Sequence, residues 1–108
     1  MPLDPSLTAM LRETSVPSVV STLYRMGYAN VFLRGVKALA TGAPTMVGIA
    51  FTLRTVPMRE DHRTAIEKGE RASLQKRAFD EIAAGEVMVC EAAGVTETAL
   101  LGDMVVTA

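Results

Sequence analysis

Hydrophobic positions follow a helical period through the first 27 residues. Leu3, Leu7, Met10 and Leu11 fall on one face within Met1–Arg12, and Asp4 before Pro5 supplies a cap with proline at the first helical position. A second helix begins near Thr14 or Ser15 with Pro17 in its first turn. Val16, Val19, Val20, Leu23 and Met26 make its apolar stripe, which faces a core, and Gly27 stops it. The period is poor from Tyr28 to Ala43, where Gly35 and Gly42 interrupt short apolar pieces; Val36–Ala40 suggests a brief strand that Pro44 ends.

Alternation replaces the helical period at Met46–Val56, with Val47, Ile49, Phe51 and Leu53 on one parity and Gly48, Ala50, Thr52 and Arg54 on the other. This is the clearest strand, and the small residues of its second face suit close packing by another element. Pro57 stops it, and Met58–Arg63 reads as a charged, solvated connector. Thr64 with Glu67 fits a capping box that opens a segment running to about Ala83, divided at Gly69. The strongest helix is Ser73–Ala84, with Leu74, Ala78, Phe79 and Ile82 on one face and Gln75, Lys76, Asp80 and Glu81 on the other. Gly85 then restarts the chain as a short apolar strand, Val87–Cys90, bounded by Glu91 and Gly94 and read as buried. Strand, helix, strand is an α/β order, and a crossover sets the two strands parallel if they share one sheet.

Composition narrows the function classes. Lys and Arg total 11 against 12 Asp and Glu, so the formal charge of −1 produces no field that favours nucleic acid or anionic membrane. The five aromatics, Tyr24, Tyr28, Phe32, Phe51 and Phe79, are too scattered to stack single-stranded bases. Cys90 is the sole cysteine, which excludes an internal disulfide or a cysteine-cluster metal site and is expected to pack as a small hydrophobe in a reducing cytosol. No apolar run approaches the roughly 18 residues of a membrane span, and no signal peptide opens the chain, so a cytoplasmic location is expected. The seven methionines read as core filler.

The candidate chemistry lies late in the chain. After the second strand come Ala92, Ala93 and Gly94, the cluster Thr96-Glu97-Thr98, and an apolar run broken by Gly102 and Asp103. A strand that feeds a loop and a helix start leaves backbone N–H groups free for an anion. Glu60-Asp61 beside His62 suggests a metal site, but a lone histidine among acids on a charged segment is ordinarily solvated. Arg59 and Arg63 suit either steering of an anionic substrate or an exposed face, and Glu91 either a site or a loop acid.

The runs MVGIAFTLRTVPMRED (Met46–Asp61) and GEVMVCEAAGVTETALLGDMV (Gly85–Val105) resemble the RraA-like family, which includes the 4-hydroxy-4-methyl-2-oxoglutarate aldolases and proteins once named demethylmenaquinone methyltransferases. The resemblance runs from the Ser15 helix onward as a single domain, residues 1–108. It implies a compact α/β sandwich of the swivelling phosphohistidine-domain type, assembled as homo-trimers or hexamers. It also implies a Mg²⁺- or Mn²⁺-dependent class II aldolase that releases pyruvate from 2-oxo acids, with a related oxaloacetate decarboxylase activity. Other members are binding modules that regulate a ribonuclease. In the family's G-x20-R-D pattern the glycine opens a helix whose amides hold the pyruvate carboxylate. Gly102 matches that glycine, so Gly102, Asp103, Met104 and Val105 inherit substrate binding; Asp103 suits either the holding of a metal-bound water or a plain helix N-terminus with its carboxylate against the dipole. The arginine and aspartate would fall beyond Ala108. The chain is therefore expected to be the N-terminal half of such a protein, inactive alone and without a direct metal ligand.

Overall fold

The structure, a computed structural model, describes residues 2–96. These form α1 (Pro5–Glu13), α2 (Val16–Arg25), β1 (Ile49–Arg54), α3 (Glu60–Glu67), α4 (Leu74–Glu81) and β2 (Glu86–Glu91). The class is mixed α/β, as the pattern predicts: four helices and a two-stranded parallel sheet of β1 and β2 among the described residues. Two compact units divide the chain, Met1–Ile49 and Ala50–Ala108.

In the first unit the capping chemistry sets both helices. The Asp4 carboxylate accepts from the Ser6 amide at 2.8 Å, and Pro5 occupies the first helical position, where its missing N–H costs nothing. Ser15 caps α2 by accepting from the Ser18 amide at 3.4 Å. Gly27, at φ +93°, ends α2: its amide donates to Tyr24 and the Tyr28 amide to Leu23, both at 3.0 Å, the paired bonds of a Schellman turn. The stripe on α2 buries less than its pattern predicts. Val19, Val20 and Leu23 are half-buried, Val16 and Met26 are exposed, and no residue of α1 or α2 is fully buried. Val36–Ala40 forms no strand: Gly35 and Gly42 take positive φ, and Leu39 is fully exposed.

The second unit is built on the crossover. In β1 the parity read from the sequence holds, with Ile49 and Phe51 half-buried and Leu53 buried while Ala50, Thr52 and Arg54 face outward. The small outward residues Ala50 and Thr52 are exposed, with no layer packed over them among the described residues. α3 begins four residues before the expected capping box. Arg59 is its N-cap residue, Glu60 and Asp61 sit favourably against the positive helix end, and Thr64 lies inside the helix, donating to the Glu60 carbonyl at 2.9 Å. The expected connector Met58–Arg63 is thus largely helical. Gly69, at φ +73°, divides the segment as expected, through a second Schellman turn in which the Gly69 amide donates to Ile66 at 3.0 Å and the Glu70 amide to Ala65 at 2.9 Å. α4 starts where predicted, Ser73 accepting from the Lys76 amide at 3.2 Å. Its inward face centres on Ala78, which with Leu53 makes up the buried apolar set among the described residues. Val87–Cys90 lies within β2 but is half-buried rather than buried, because a two-stranded sheet covers little of either face. Cys90 is a free, half-buried thiol. Met10, Met26, Met46 and Met58 are exposed, so the reading of the methionines as core filler does not hold for these four.

Candidate functional site

The carboxyl ends of β1 and β2 lie side by side, and in α/β sheets this is where loops leave room for ligands. Glu91 locks them together. The Thr55 amide donates to the Glu91 carbonyl at 2.8 Å and the Thr55 hydroxyl to the same oxygen at 3.2 Å. The Glu91 carboxylate accepts from Arg54 Nε at 2.6 Å through one oxygen and from the Ala93 amide at 3.0 Å through the other. Both oxygens of Glu91 are therefore engaged in holding the strand ends and the turn that follows. Ala93 at φ 52° and Gly94 at φ +76° carry that turn, closed by the Val95 amide donating to the Ala92 carbonyl at 3.0 Å. A left-handed alanine costs about 1 kcal/mol or more and marks a turn fixed by its surroundings.

A groove of about 610 Å³ opens beside these strand ends, within the second unit. Its floor is apolar, with Leu53, Val56, Ile66, Leu74 and Val95, and its polar lining includes Arg54, His62, Arg71 and Arg77. Arg54 is paired with Glu91, and Arg77 lies 3.4 Å from Glu81. Such a volume is in the range of pockets that enclose small organic molecules.

The other residues singled out from the sequence are occupied locally. Arg59 makes a two-point contact with Asp61 at 3.2 and 3.0 Å, and Arg63 pairs with Glu67 one helical turn on at 2.9 Å. His62 Nε2 is 4.0 Å from Asp61, and all of these side chains are largely exposed. Asp61 is thus a local partner of Arg59. No group of three or more His, Cys, Asp or Glu side chains suited to an ion occurs among the described residues. Gly102, Asp103, Met104 and Val105 lie outside the described residues. Besides Arg77, the lining cation that the sequence pattern does not single out is Arg71. Its only signal was Gly69, which fixed a turn but did not show which cation the turn would present.

No family model matches the chain, and the comparisons with curated proteins and with solved structures also returned no match. No helix among the described residues is long and apolar enough to cross a membrane.

Proposed function

We propose that this chain belongs to an RraA-like α/β sandwich of the swivelling type, acting as a Mg²⁺- or Mn²⁺-dependent class II aldolase that releases pyruvate from 4-hydroxy-4-methyl-2-oxoglutarate or a related 2-oxo acid. The observation that carries the reading is the parallel crossover from β1 to β2, with a groove at the carboxyl ends of both strands and the Gly102 stretch following shortly after β2 in sequence. Substrate carboxylate binding is assigned to Gly102, Asp103, Met104 and Val105, with Asp103 holding a water of the metal. A divalent ion held there would supply Lewis-acid chemistry to the keto acid. The described residues do not form its ligand set, so this part of the proposal rests on the resemblance alone. No Arg-Asp dipeptide occurs within the 108 residues, so the arginine and aspartate of the family pattern have no counterpart among them. A cytoplasmic homo-trimer or hexamer is the proposed setting.

The test is pyruvate release from 4-hydroxy-4-methyl-2-oxoglutarate by the complete gene product, coupled to lactate dehydrogenase. The expected signal requires Mg²⁺ or Mn²⁺, disappears with a chelator and is lost on Gly102→Pro. A complete, folded product that releases no pyruvate with either ion removes the enzyme reading. The second reading, a binding module that regulates a ribonuclease or another protein, draws on the exposed Tyr24, Met26, Phe32 and Leu33 side chains, since aromatic and methionine side chains are over-represented where proteins meet.

A further inference from the structure

Among the charged groups that line the groove, Arg71 differs in its lack of a counter-ion. Arg54 and Arg77 pair with Glu91 and Glu81, and His62 has Asp61 nearby, whereas the Arg71 side chain has no hydrogen bond or ion pair among the described residues. Its position is nonetheless well fixed at the backbone. The Gly69 turn reverses the chain after α3, the Glu70 and Arg71 amides both donate to the Ala65 carbonyl at 2.9 and 3.3 Å, and Ser73 caps α4 two residues later. A side chain carried between two such anchors lines the groove from a firm base. Leu53, Val56, Ile66, Leu74 and Val95 line the same groove and make its lining mostly hydrocarbon.

One unmatched guanidinium beside an apolar trough of about 610 Å³ complements a ligand with one negative charge and an apolar body. A phosphate or polyanion would need several unmatched donors, and two of the three lining arginines are already matched by carboxylates. We propose that the groove binds a small monocarboxylic acid with an aliphatic or aromatic tail, its carboxylate on Arg71 and its tail against Leu53, Val56, Ile66, Leu74 and Val95. This site uses none of Gly102–Val105 and needs no ion, so it stands or falls apart from the aldolase reading.

The experiment is a ¹H–¹⁵N NMR titration of the full chain with hexanoate, without added metal. The expected result is saturable shifts confined to residues lining the groove, with a Kd on the order of 1 mM for a ligand of this size. A bulkier tail in 4-phenylbutanoate tightens binding, methyl hexanoate binds at least about tenfold more weakly, and inorganic phosphate does not saturate. R71A weakens hexanoate at least about tenfold and R71K by less, since lysine keeps the charge but loses the planar fork, while R34A, outside the groove, leaves Kd unchanged. Should R71A disturb the spectrum at large, R71K and the ester comparison carry the test. The proposal is overturned if hexanoate gives no saturable shifts, if R71A or the methyl ester binds as tightly as the parent pair, or if phosphate saturates the same residues more tightly.

Discussion

Shortening Leu53 to alanine tests where the core of the second unit sits. Leu53 is 7% exposed and, with Ala78 at 3%, forms the buried apolar set among the described residues. Leu53→Ala removes three carbons, and at about 0.8 kcal/mol per buried methylene the lost transfer free energy is about 2 kcal/mol. An enclosed core would add a cavity penalty, but Leu53 also lines the open groove, so the vacated space joins the groove and water enters it. The expected loss of about 2 kcal/mol is roughly a thirtyfold drop in the folded-to-unfolded ratio. Urea unfolding of the full chain followed by far-UV circular dichroism should show the midpoint falling by about 1–2 M with an unchanged slope. Leu39→Ala is the matched control: the same atoms are removed at a position that is 106% exposed, and the expected change is within about 0.5 kcal/mol. A loss below about 0.5 kcal/mol at Leu53, or equal losses at both leucines, would refute the placement of the core.

Three further outcomes follow from the caps and the strand ends. Ser73→Ala removes the acceptor for the Lys76 amide and should cost about 1 kcal/mol in the same urea assay, while Ser73→Asp should restore it; equal stability of all three would mean that α4 is not capped there. Glu91→Gln breaks an ion pair whose side chains are 79% and 54% exposed, so thermal unfolding should shift by the equivalent of less than 1 kcal/mol, and the difference should vanish in 1 M salt. A larger, salt-independent loss would show that more than a screened charge pair holds the strand ends. The Asp4 carboxyl titrates below its ordinary value of 3.8, because the Ser6 hydroxyl and amide donate to its charged form. A lowered folded-state value means that the carboxylate's contribution is fully present above about pH 4 and is lost as pH falls through the lower value. Helicity of the α1 amides, read by NMR between pH 5 and 2.5, should therefore decline in the wild type and stay flat in Asp4→Asn; parallel curves would remove Asp4 as the source.

The legible parts of the fold were those written in local chemistry. Asp4-Pro5, Ser15 and Ser73 each start a helix where a side-chain oxygen meets free amides, and Gly27, Gly69 and Gly85 each take the positive φ that a stop or turn requires. The alternation in Ile49–Arg54 was readable because one face of β1 is covered and the other is not. α3 was placed too late because Glu60–Arg63 shows no apolar stripe; its start is held by the helix dipole and by Arg63–Glu67 pairing, neither of which leaves a hydrophobic period. The depth of β2 was overread for the opposite reason. An apolar run states what a strand can bury, whereas actual burial depends on how many neighbours arrive, and β1 is its one partner among the described residues. At the candidate site, Arg59 and Arg63 drew attention by proximity in sequence, but each is matched by an acid two or four residues away. Arg71 became visible only when a turn brought it to the strand ends.

The spacing between the paired strands has a consequence during synthesis. Arg54 meets a partner 37 residues later, so β1 leaves the ribosome as a segment with one apolar face and nothing to pair with until Glu91 emerges. At translation rates of about 5–20 residues per second that interval lasts about 2–7 seconds. Ile49, Phe51 and Leu53 are then open to any chaperone or neighbouring nascent chain, and the first of these to reach them decides between native pairing and aggregation.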